Sequence, residues 1–136
     1  MSESEIEDIV KSHCQKRTEP VAAPTLEQWG SLERHFGCEL PHELFHLRVI
    51  GSRYWLGGDH LPISEIPIVH KRESDGGRHW DADLVPFFSV GNGDNLCVRR
   101  SEGGQSGVYY WAHDDTVVRR LHQSVAAYIQ DRKWFP

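Results

Sequence analysis

The chain has 136 residues, 38% of them hydrophobic, with five Trp and five Phe, enough for a single domain with a real core and too few for two. Its 15 Lys and Arg against 20 Asp and Glu give a net charge of -5, which disfavours nonspecific attraction to nucleic acid or an anionic membrane and favours a basic partner. Three widely separated cysteines, Cys14, Cys38 and Cys97, argue for free or buried thiols in a reducing compartment.

The acidic start, Met1 to Glu5, leads into no apolar stretch of signal-peptide length, and no later run could span a bilayer, so the expected location is the cytoplasm. Ile6, Ile9 and Val10 recur at helical spacing within Glu5 to Lys16 and predict a short amphipathic helix. Pro20 and Pro24 then break regular structure. Residues 1–24 are therefore expected to be a helix plus linker, ahead of one domain over 25–136.

Thr25-Leu26-Glu27-Gln28 is a capping box with Gly37 downstream as terminator, predicting a helix from Leu26 to Phe36. Pro41 suits the first position of another helix, with Leu40, Leu44 and Leu47 on one side and Gly51 at its end. Tyr54-Trp55-Leu56 and Leu61-Pro62-Ile63 read as strands flanking a Gly57-Gly58-Asp59 turn. Ile66-Pro67-Ile68-Val69 reads as a short edge strand, and Lys71 to Asp81 as a surface loop.

From Asp83 the pattern is an antiparallel meander. A strand over Leu84 to Val90 runs into Gly91-Asn92-Gly93-Asp94, a second strand reaches Arg100, and a glycine-rich turn leads to a third over Val108 to Ala112. After His113-Asp114-Asp115 the strand character resumes at Val117-Val118, and Val125, Tyr128 and Ile129 predict a closing helix with Ser124 near its cap. The class expected is α+β, with a largely antiparallel sheet of about five or six strands and helices packed against it.

The sharpest catalytic pattern is His42-Glu43-Leu44-Phe45-His46, which fits H-E-x-x-H: two histidines one turn apart for zinc, Glu43 as general base, and Glu65 as a possible third ligand. Against it, nine histidines make a chance match easy, and Pro41 places His42 in the first helical turn, where a solvated polar residue is expected. The preferred reading is helix surface without metal, the alternative a small zinc hydrolase using His42, His46 and Glu65.

Asp94, His113, Asp114 and Asp115 lie at neighbouring strand ends, where they could bind a divalent ion or move protons. Turn chemistry explains the same residues, because Asp and Asn bond nearby amides and tolerate left-handed backbone. Gly91 and Gly93 lack the Lys and Ser/Thr of a Walker loop and lead into a strand, so nucleotide binding has little support. Ser89, Ser101, Ser106 and Cys97 sit in no nucleophile motif.

Taken in order, Leu40-Pro41-x-x-Leu44-x-x-Leu47, Gly51, Leu84-Val85-Pro86-Phe87, Gly91-Asn92-Gly93-Asp94, Gly107-Val108-Tyr109 and Ser124-x-x-x-Tyr128-Ile129 resemble the SUKH superfamily of bacterial toxin-immunity proteins and fungal regulators of cell-wall synthesis. The likeness covers about Thr25 to Asp131. It implies a noncatalytic binding protein without cofactor, many bacterial members being thought to neutralise a nuclease or deaminase toxin by covering its active site. An acidic surface would complement such a basic toxin domain. Aromatics and acids expected near strand ends, Trp55, Asp59, Asp94, Trp111, Asp114 and Asp115, are the candidate partner contacts, in a monomer or weak dimer. An intracellular scaffold remains a further alternative to immunity.

Overall fold

A computed structural model describes residues 1–77 and 79–136. Five helices, α1 (Glu3–His13), α2 (Leu26–Phe36), α3 (His42–Ile50), α4 (Ile66–Asp75) and α5 (Val125–Asp131), surround a four-stranded sheet of β1 (Leu84–Ser89), β2 (Asn95–Arg99), β3 (Val108–Trp111) and β4 (Val118–His122). The strands lie in chain order and every pair is antiparallel. No helix among the described residues is long and apolar enough to cross a membrane.

The helix starts follow local chemistry. Thr25 accepts the Gln28 N–H while the Gln28 side chain accepts the Thr25 N–H, so two otherwise orphaned donors at the start of α2 are satisfied reciprocally. Ser124 does half of this for α5, accepting from Ala127 N–H at 3.0 Å. Gly51 ends α3 for a packing reason: its backbone is right-handed, but a Cβ there would stand 2.8 Å from Leu56 Cδ1.

One face of the sheet meets the main core. Val85, Leu96, Val98 and Val108 pack there with Ile6 and Val10 of α1, Leu47 and Ile50 of α3, and Tyr128 and Ile129 of α5. Each fully buried aliphatic side chain contributes about 1.5–3 kcal/mol. The opposite face carries a smaller cluster of Leu84, Cys97, Tyr109 and Trp111, with Trp80 against it.

The structure corrects three expectations. Among the described residues four strands form, not five or six, because Tyr54 and His60 each make one isolated bridge, to Lys16 and Phe88, and Ile63–Glu65 is a single 3-10 turn. Ile66 to Val69 is helical: Pro67 falls in the first turn of α4, where its missing N–H costs no hydrogen bond. The segment read as a loop from Lys71 continues α4 to Asp75, and Arg78 within it lies outside the described residues.

Candidate functional site

Gly91 and Gly93 both hold φ at 98°, a conformation that side-chain-bearing residues resist. At Gly93 space is also closed, since a Cβ would lie 3.0 Å from His113 Cγ. Asn92 Oδ1 accepts the Asp94 N–H at 3.0 Å, and Val90 N–H donates to the Asp94 carbonyl at 3.0 Å. The turn thereby aims the Asp94 carboxylate at the end of β3.

There the carboxylate accepts the Tyr110 hydroxyl, the His113 main-chain N–H at 2.8 Å and His113 Nδ1 at 2.5 Å. A carboxylate only accepts, so the ring presents its N–H at Nδ1. Burial would raise the Asp94 carboxyl, but the Tyr110 hydroxyl and the two His113 donors together hold it below the usual carboxylate range. Tyr110 is pushed up to about 12 by burial and by Asp94. The pair is an ionised acceptor and a protonated donor that ties the β1–β2 turn to β3, and His113 extends the tie to the β3–β4 turn.

The expected contact residues divide by burial. Trp55 is 49% exposed and Trp111 is fully buried. Trp111 is therefore a core residue and no surface anchor: its ring meets Trp80 at 4.8 Å on the sheet face covered from α4 and the segment after it. Asp94 is buried and committed to its brace. Asp59, Asp114 and Asp115 are exposed.

Two of these acids lie against the turn and its brace. Asp59 offers its carbonyl to Ser89 N–H at 2.9 Å, setting it beside the start of Gly91 to Asp94, and Asp114 reaches His113 Nε2 at 2.9 Å. Asp115 instead caps its own turn, accepting Val117 N–H at 2.9 Å and Arg119 at 3.0 Å.

The model of the SMI1 / KNR4 family (SUKH-1) matches residues 23–131. The chain belongs to this family. A crystal structure of a protein from Pseudomonas syringae pv. tomato superposes with a TM-score of 0.66, covering 96% of this chain and 97% of that one at 21% identity, a likeness of fold alone. A 71-residue stretch, 48% of this chain, is 32% identical to a mitochondrial pseudouridylate synthase of Homo sapiens, of whose length it spans 19%. Membership of SUKH-1 is consistent with an immunity-type protein-binding module, and the family is generally one of noncatalytic immunity and regulatory proteins.

In this SUKH-1 chain the polar residues of the H-E-x-x-H segment, on α3, differ from one another in burial. His42 is exposed and its Nε2 meets the Met1 carbonyl at 3.2 Å. Glu43, expected on solvated surface, is buried with Oε2 3.4 Å from the Met1 amino group. The rings of His42 and His46 stand edge to face at 5.3 Å. Among the described residues no three His, Cys, Asp or Glu gather where they could hold a metal ion, so Glu65 is not brought to the pair.

Sequence reasoning passed over His60. It is 4% exposed, gives Nδ1–H to the Leu56 carbonyl at 3.0 Å and accepts the Tyr128 hydroxyl at Nε2, 2.9 Å away. Burial, reinforced by the Arg48 charge and opposed by the Leu56 carbonyl, lowers its imidazole to about 4. Among nine histidines no spacing marks this one, because its partner lies 68 residues away.

Proposed function

We propose that this SUKH-1 chain is a noncatalytic binding module, an immunity protein that neutralises a cognate bacterial nuclease or deaminase toxin by covering it. In this reading residues 25–136 are the binding domain, 1–24 a helical extension that braces it, and the protein acts in the cytoplasm as a monomer or weak dimer. The partner is a basic protein domain. It docks on the sheet end that carries Asp59, Asp114 and Asp115, with Trp55 as the aromatic anchor.

The observation that carries the reading is Trp55, half exposed on the segment that also presents the exposed Asp59, in a chain of net charge -5. Exposed tryptophans supply a disproportionate share of interface energy. Exposed acids speed encounter with a basic surface. Asp94 supports them from behind and makes no contact of its own.

The test is binding of the full chain to the toxin-like domain encoded beside its gene, followed by kinetics at two salt concentrations. Asp59→Lys with Asp114→Lys should slow association about tenfold at low salt, and Trp55→Ala should weaken the complex by about 2 kcal/mol or more. Undiminished binding by both variants would move the interface elsewhere. Failure to bind any such domain would favour the scaffold reading.

A further inference from the structure

A groove of about 510 Å³ opens between the linker, α2 and the segment around the 3-10 turn, walled by Ala22, Pro24, Leu32, Ile63 and Pro67 with Arg48 at its side. These walls are apolar, but Arg48 brings five donors on a rigid fork. Its only hydrogen bond among the described residues is a long one, Nη1 to the His60 carbonyl at 3.4 Å, and no carboxylate there lies within ion-pair distance of it. Burial and the nearby Arg17 lower the Arg48 guanidinium from its ordinary value, with Glu65 opposing them. A half-buried guanidinium without a counterion is costly to the free protein and is relieved by an incoming anion.

We infer that this groove binds an extended peptide segment of a partner protein, placing an aspartate or glutamate side chain on Arg48 and apolar neighbours against Leu32, Ile63 and Pro67. Charge complementarity selects the acid. The linker wall selects a peptide: Val21 N–H is already bonded to the Ser52 carbonyl at 3.0 Å, while the N–H groups of Ala22 and Ala23 have no acceptor among the described residues. Extended peptides pair with such free main-chain groups and read specificity through side-chain pockets. The groove uses none of the residues of the acidic sheet end and asks for the opposite charge, so it stands independently of the toxin-binding reading.

The experiment pans a random heptapeptide phage library on the full chain, with parallel panning on Arg48→Met and on Ser64→Trp. Ser64 is an exposed lining residue, so the second variant fills the groove without touching the core. Enriched peptides should carry an acid between apolar residues. The synthesised winner should bind at least about tenfold more weakly to either variant and to the same degree when its own acid is changed to the amide, while binding normally to Trp55→Ala. Amide resonances of Ala22 and Ala23 should shift on its addition. No enrichment, enrichment without acids, or equal enrichment on both variants overturns the proposal. Displacement of the peptide by sodium valerate of equal affinity overturns it too, since the main chain would then contribute nothing.

Discussion

His60 is held neutral in the core, and acid should unfold the protein through it. The Leu56 carbonyl fixes its proton on Nδ1 and the Tyr128 hydroxyl donates to Nε2, so a second proton would have to turn that hydroxyl from donor to acceptor and place a charge in the core. Its imidazole is lowered to about 4 in the folded protein, against about 6.5 in an unfolded chain. Because the folded value is the lower one, the unfolded state takes up the proton first as pH falls. The stabilisation is complete above about 6.5, shrinks through the interval and is lost by about 4, a change of about 3 kcal/mol at 1.36 kcal/mol per unit. Urea titrations followed by tryptophan fluorescence at steps from pH 7 to pH 4 measure it directly. His60→Gln removes the titration while keeping a donor and an acceptor. It should start less stable at pH 7 and fall less steeply, the two curves converging by about 3 kcal/mol. His46 and His70, both lowered by burial, contribute equally to both proteins and cancel. Parallel curves would mean that His60 is solvated or charged in the folded state.

The glycine turn offers a matched pair. Gly91→Ala should lose about 1 kcal/mol from its positive φ alone, whereas Gly93→Ala, which adds the 3.0 Å approach to His113, should lose about 2–3 kcal/mol in thermal unfolding; equal losses would place His113 away from the turn. Asp94→Asn puts an amide N–H₂ among three donors and should destabilise by about 2–3 kcal/mol at pH 7. Since the Asp94 carboxyl lies below its ordinary value when folded, the wild type gains this stability above the ordinary carboxylate range and loses it as pH falls through the lowered value, so the gap between the two should close in acid. Elemental analysis of purified protein should find less than stoichiometric zinc, unchanged in His46→Ala; bound zinc that disappears in that variant would revive the hydrolase.

Much of the architecture was legible because it is locally encoded. The Thr25–Gln28 box, the Pro41 start and the alternation from Leu84 through Trp111 act over a few residues and produced α2, α3 and the meander where expected. The failures have one cause, dependence on partners distant in sequence. Tyr54 to Leu56 looked like a strand, but among the described residues its extended pairing is limited to one bridge to Lys16 and one bond to Gln15. Pro67 has two uses, at an edge strand or in a first helical turn, and local sequence does not choose between them. Trp111 was expected among the surface contacts, because nothing close to it in sequence shows that Trp80 covers its face of the sheet. Asp94 was recognisable as a turn residue; that its carboxylate would clasp Tyr110 and His113 depends on the β2–β3 register, Leu96 opposite Tyr110.

Trp55 and Asp59 are held by their main chains, the first donating to Gln15 at 2.9 Å, the second accepting from Ser89 at 2.9 Å. Their side chains take no part in those bonds. Exchanging either one therefore leaves the scaffold's own connections in place, and the losses should stay near those of ordinary surface changes, within about 0.5 kcal/mol. A chain built this way can be re-addressed to a new partner one residue at a time, without passing through an unfolded intermediate sequence.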